Sequence, residues 1–204
     1  MFSLRILPIV FALLGLIVYS NTFHNSFHFD DFWNIISNPL IRDIHNLHHI
    51  WLCGPPTRFI TYLSLALNYQ CNGLGVVGYH IFNFMVHMSA AAFVWWVVSL
   101  IFQTPLIIKE KIAAHALWIS FFTASIFLVH PIQTQPVNYI IQRAVLLASF
   151  FYLLSVGLYL KARLAQESAH RFSGFYYTAS LGAAVAAMFC KEMAVSLPLM
   201  ICFL

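Results

Sequence analysis

Charge is the scarcest commodity in this sequence. Asp, Glu, Lys and Arg make up only 8% of its 204 residues, where a soluble domain carries about 25%. Cysteine is sparse too. Its four copies, Cys53, Cys71, Cys190 and Cys202, include no C-x-x-C pair, which argues against a zinc or thioredoxin-type site. Cys53 and Cys71 share one long loop and could pair if that loop faced an oxidising compartment. Cys190 and Cys202 read as small apolar core residues. No Walker loop, dinucleotide fingerprint or G-x-S-x-G is present, so a nucleotide has no visible cradle. No internal repeat is visible either. The net charge of +4 comes from Lys and Arg in short loops without a clustered basic face, so nucleic acid is not an expected partner.

What is abundant is apolar and aromatic: 61% hydrophobic residues, with twenty Phe, nine Tyr and five Trp. Together with a mean hydropathy of +0.82, this describes an all-α polytopic membrane protein with aromatics near the interfaces. Spanning runs are expected at 4–20, 78–102, 113–130, 144–160 and 172–190, with a sixth beginning at 193. The sixth stops inside an apolar stretch at 204, which reads as part of a longer protein. Residues 21–77 form a long polar-aromatic loop. Within it, Arg58–Tyr69 reads as a short interfacial helix closed by Asn72-Gly73-Leu74-Gly75.

With the N-terminus in the cytoplasm, Arg5, Lys109, Lys111, Lys161, Arg163 and Arg171 lie inside in short basic loops. Arg42, Arg58, Arg143 and Lys191 then fall on the outer side with Asp30, Asp31, Asp43 and Glu192. The long loop, the 131–142 connection and Lys191-Glu192 converge on that face.

Two of the six acidic residues stand side by side in Phe27-His28-Phe29-Asp30-Asp31. One carboxylate could act as a base while the other holds a neighbouring group, because adjacent side chains diverge. Capping of a helix starting at Phe32 is the equal alternative. Arg58, Arg143 and Lys191 each lie at an outer end of an apolar segment, where cations grip phosphate or serve as interfacial anchors. His80, Asn83 and His87 share one helical face, as a polar path or as interhelical hydrogen bonds. His45 and His49 would share a face if helical, a spacing compatible with a divalent metal, although no H-E-x-x-H accompanies them. The polar connection from His130 to Arg143 would align Asn138 with Gln142 if it were helical from Pro136.

Taken in order, these residues resemble the N-terminal membrane region of the transmembrane and tetratricopeptide-repeat-containing O-mannosyltransferases and their bacterial relatives. The resemblance is carried by Phe29-Asp30-Asp31, Asn38, Ile50-Trp51, Arg58, Leu67-Asn68-Tyr69, Gly78-Tyr79-His80, Asn83, His87, His130-Pro131, Thr134, Val137, Arg143 and Lys191-Glu192. It runs from about Phe23 to Leu199. It implies a GT-C helix bundle in the bacterial inner membrane or the endoplasmic reticulum. The donor would be a polyprenyl- or dolichyl-phosphate sugar and the acceptor a hydroxyl, often of Ser or Thr. Asp30 and Asp31 match the acidic motif of the family's first outer loop, with Asp31 slightly favoured as base. Arg58, Arg143 and Lys191 would meet the donor phosphate; His80, His130, Gln142 and Glu192 would line the site. The sequence departs from the pattern at Thr57-Arg58, where Arg-Pro is frequent, and at Gln135-Pro136, where an acidic residue often stands. It also lacks tetratricopeptide repeats. The competing reading is a non-enzymatic transporter or scaffold using the His80–Asn83–His87 stripe. A histidine-dependent acyltransferase has no nucleophile or donor signature behind it.

Overall fold

The computed structural model describes residues 6–45, 47–167 and 172–203, without the side chain of Cys53. Arg5 and Arg171, two of the inner-side cations, lie outside the described residues. Among those described the regular structure is entirely helical. The helices are α1 (Ile6–Val18), α2 (Leu47–Cys53), α3 (Phe59–Asn72), α4 (Val76–Ile101), α5 (Ala116–Val129), α6 (Thr134–Asn138), α7 (Arg143–Glu167), α8 (Ser173–Met188) and α9 (Leu197–Cys202), joined by short 3-10 and π turns.

Among the described residues, three helical stretches are long and apolar enough to cross a membrane: Val76–Ile101, Lys111–Val129 and Ile140–Glu167. Ile6–Val18 and Glu192–Cys202 are shorter apolar helices. The helix expected over 144–160 continues to Glu167, because Lys161-Ala162-Arg163-Leu164-Ala165-Gln166-Glu167 are all good helix formers even though hydropathy falls.

Helix α4 is central. Its flanks pack on α5 and α7, and α7 packs in turn on α8. A first apolar core joins α1, α4 and α5 through Leu7, Phe11, Phe84, Ala91, Phe121 and Leu128. The α7–α8 contact is built from small residues. Ser180, Ala183 and Ala187 form one buried stripe of α8 at offsets of three and four, which lets the backbones approach. Ser155 Oγ donates to Ser180 O and Ser180 Oγ to Ser155 O, each at 2.9 Å. On the other flank of α7, Gly157 meets the Trp96 ring.

The long loop is folded over the end of this bundle where α4 and α7 begin. Ile35, Ile41, Ile50, Tyr62 and Leu65 make a core of their own with Tyr79, Ile140 and Ile141. Helix α3 ends as expected. Gly73, at φ 58°, takes a positive φ that a side chain would strain, and its N–H donates to Tyr69 O at 2.7 Å. Cys71 carries a free thiol, while the side chain of Cys53, its expected partner, lies outside the described part. Cys190 is buried as expected, but Cys202 is exposed near the end of α9.

Candidate functional site

The residues from Tyr139 to Arg143 organise the face that the long loop covers. The connection is not one helix from Pro136. Helix α6 ends at Asn138, Tyr139 is extended (φ −92°, ψ 107°), and a 3-10 turn Ile140–Gln142 leads into α7. That break separates Asn138 from Gln142. The Asn138 side chain instead accepts Thr22 Oγ1 at 2.6 Å, tying the start of the loop to this connection.

Each residue after the break holds a different group. The Tyr139 hydroxyl accepts the Asp30 N–H at 2.8 Å. The Ile141 N–H donates to Asp31 Oδ1 at 2.8 Å. The Gln142 Oε1 accepts Lys191 Nζ at 3.3 Å. Arg143 runs inward. The Asp30 backbone, the Asp31 carboxylate and the Lys191 ammonium are thus each held by a residue of this one turn.

The two aspartates are not equivalent. Asp31 is fully buried, its second oxygen accepting the His28 N–H at 3.1 Å. It does not cap the π turn Phe32–Ile36 that follows it. Burial raises its pKa above the usual carboxylate value, opposed by the backbone N–H bonds. Both Asp31 oxygens are thus held by backbone N–H groups, so its carboxylate ties the loop to this turn. Asp30 is exposed. Just before the pair, Phe29 takes φ 44°, a left-handed conformation that a non-glycine residue adopts at a cost of about 1–2 kcal/mol.

Arg143 is fully buried. Its Nε donates to Asn83 Oδ1 at 2.8 Å, Nη1 to Ser64 O at 3.0 Å and Nη2 to Tyr79 O at 3.1 Å. The guanidinium also lies 4.2 Å from the centroid of Phe82. These bonds join α3, α4 and α7, and a phosphate here would have to displace them. The Asn83 amide donates back to Ile140 O at 3.3 Å. The remainder of the polar stripe is likewise engaged between elements. His80 Nε2 pairs with Asn25 O at 2.9 Å and His87 Nε2 with Leu128 O at 3.0 Å.

Arg58 and Lys191 are the accessible cations of the set. Arg58 Nε lies 3.2 Å from Glu192 Oε1, which also accepts Thr57 Oγ1 at 3.0 Å. Burial, reinforced by the charge of Arg58, lowers the Lys191 pKa from its ordinary value. Helix α3 is pinned beside them: the Ile60 N–H donates to Phe189 O at 3.0 Å and Thr61 Oγ1 to Cys190 O at 2.9 Å. A cavity of about 300 Å³ opens next to Lys191, with walls that include Phe127, Val145, Ala148, Tyr152 and Leu153. Lys191 therefore heads a mostly apolar cavity, with the Arg58–Glu192 pair as a neighbour.

Asp30, Asp31, Arg58, Gln142, Arg143, Lys191 and Glu192 thus meet through this turn and its neighbours. His80 lies beneath the loop, and His130 sits at the outer end of α5, where its Nδ1 accepts the Ile132 N–H at 3.2 Å. His45 precedes α2, so it does not share a helical face with His49. Among the described residues no three His, Cys, Asp or Glu side chains gather as metal ligands. Sequence reasoning missed Tyr139 and Ser64. Tyr139 stood in a segment already notable for its polarity, whereas a carbonyl such as that of Ser64 leaves no trace in a sequence.

The helical architecture and its long apolar crossings define a polytopic membrane protein. Its curated homologues are TMTC-family protein O-mannosyl-transferases. Tmtc1 of Drosophila melanogaster is 30% identical over 90% of this chain, and TMTC4 of Homo sapiens 27% identical over 92%. TMTC2 of Homo sapiens is 27% identical over 94%. The chain spans 21%, 27% and 23% of these relatives' lengths, respectively. No family model and no solved structure matches it.

Proposed function

We propose that this chain forms the donor-side part of a GT-C glycosyltransferase in the endoplasmic reticulum or bacterial inner membrane. It would move a sugar from a polyprenyl- or dolichyl-phosphate carrier to a hydroxyl, in the first instance of a protein Ser or Thr. The observation that carries the reading is the turn Tyr139–Arg143, which holds an exposed carboxylate on one side and a cation heading an apolar slot on the other. A lipid phosphate sugar has the matching parts: a chain for the slot, a phosphate for the cation and an anomeric carbon for the attacking oxygen.

Asp30 takes the proton from the acceptor hydroxyl, and that oxygen bonds to the anomeric carbon as the carbon–oxygen bond to the lipid phosphate breaks. Lys191 and Arg58 meet the charge on the departing phosphate. Tyr139 holds the Asp30 backbone, and Asp31 ties the neighbouring His28 N–H to the Ile141 N–H. Arg143 locks the α3–α4–α7 frame beneath. Gln142 and Glu192 orient Lys191 and Arg58, while His80 and His130 bound the site below and at its rim. No protein acid is required, because phosphate leaves readily once its charge is met.

The test is sugar transfer by the full-length protein from a lipid phosphate sugar to a Ser/Thr peptide. Asp30→Asn is expected to lower turnover by about 10²–10⁴-fold with expression and melting unchanged, the range for losing a general base. Wild-type turnover in that variant overturns the assignment.

A further inference from the structure

We infer that the π turn Phe32–Ile36 and Phe29, three residues before it, form a membrane-seating surface, by which the first outer loop rests in the outer-leaflet headgroup region. The turn has two faces. Inward lie Asp31 and Ile35, both fully buried, and Asn34, whose Oδ1 accepts the Tyr62 hydroxyl at 2.7 Å. Outward lie Phe29, Phe32 and Trp33, which are 87%, 48% and 71% exposed. Phe32 and Trp33 pack edge to face at 5.0 Å, so the outward rings are adjacent. A single exposed apolar side chain is ordinary. Three aromatics projecting from one turn, one of them on a left-handed backbone, call for an occupant.

The depth of the turn identifies that occupant as lipid. The Phe29 ring rests against Tyr139 at 6.3 Å, and Asp31 binds the Ile141 N–H. Tyr139 immediately precedes Ile140, the first residue of an apolar stretch long enough to cross the bilayer. The rings therefore stand at the level where that stretch enters the membrane, where Trp and other amphipathic aromatics concentrate. The backbone is suited to the same place. The N–H groups of Asp30, Phe32, Asn34 and Ser37 are bonded within the protein, to Tyr139 Oη, Phe29 O, Asp30 O and Phe32 O. A loop can approach hydrocarbon only with its polar groups satisfied in this way. Asp30, between Phe29 and Phe32 in sequence, is exposed, and a headgroup-level position keeps its carboxylate hydrated. This inference stands on the exposed face and its level, independently of the transferase reading.

The experiment uses the full-length protein in phosphatidylcholine nanodiscs, with Trp33→Phe to isolate the Trp33 emission. Trp33 is expected to be quenched about twofold or more by lipids carrying a doxyl group near the headgroup, and only weakly by aqueous iodide. Quenching by iodide without quenching by doxyl lipid would place the face in water and overturn the inference. Indifference to both quenchers would show it covered by protein and overturn it equally. A second measurement covers misfolding of that variant: Phe29→p-benzoylphenylalanine, irradiated in the same nanodiscs, is expected to yield phospholipid adducts. Adducts to protein alone refute the seating.

Discussion

Replacing Arg143 tests whether the buried guanidinium works as a hydrogen-bonding hub. Arg143→Met removes its three bonds while keeping much of the side-chain volume. Two of the acceptors, Ser64 O and Tyr79 O, lie inside α3 and α4, where helical geometry gives them amide partners of their own. Asn83 Oδ1 is different, since its bond to Arg143 Nε is the one that satisfies it. Leaving that one buried acceptor unpaired costs about 1–3 kcal/mol. Losing the cation also removes the penalty for burying it, so the net effect stays in that range. Arg143→Ala adds a cavity, and its total loss rises to about 3–5 kcal/mol. The double variant Arg143→Met with Asn83→Leu removes both donor and acceptor and is expected to recover to within about 1 kcal/mol of the parent. Reversible unfolding in bicelles, followed by circular dichroism, reads these differences. If the two single losses simply add in the double variant, the hub account is wrong.

Asp31 makes stability depend on pH. Its folded pKa lies above the ordinary carboxylate value of 3.8, so between those two values the folded state holds more protons than the unfolded one. Stability must therefore fall as pH rises through that window, and Asp31→Asn is expected to remove this slope; melting temperatures from about pH 4 upward check it. The α4–α7 approach is tested at Gly157, where an added Cβ would come within 2.4 Å of the Trp96 ring. Trp96 is itself packed against Phe93, so Gly157→Ala is expected to cost about 1–3 kcal/mol. Gly15→Ala meets the flexible thioether of Met88 instead and is expected to cost under about 1 kcal/mol in the same melts.

Periodicity and charge carry much of this arrangement in readable form. Scarce charge and long apolar runs identify a helical membrane protein, and the few outer-side charges mark the face where the loop, the 131–142 connection and Lys191-Glu192 meet. Orientation within that face is a tertiary matter. Placing Arg143 at the start of an apolar run is possible from sequence; knowing that α3 folds across it and offers Ser64 O is not. Asp30 and Asp31 differ in which of them the turn before α7 captures through the Ile141 N–H, and adjacent aspartates look alike in a sequence. The extended Tyr139 is similar. Nothing in Val137-Asn138-Tyr139-Ile140 forces a break, yet the break is what frees the Ile141 N–H for Asp31.

The bonds from α3 to the segment before α9 also set an order of events. Thr61 reaches Cys190 across 129 positions, and Arg58 reaches Glu192 across 134. During synthesis at about 5–20 residues per second, the first outer loop waits on the order of ten seconds for the residues that pin it. Over that interval helix α3 is already made while its anchoring segment is still being synthesised. The earliest part of the outer face to leave the ribosome is thus among the last to reach its final form, which makes it the segment most exposed to chaperones and proteases on that side of the membrane.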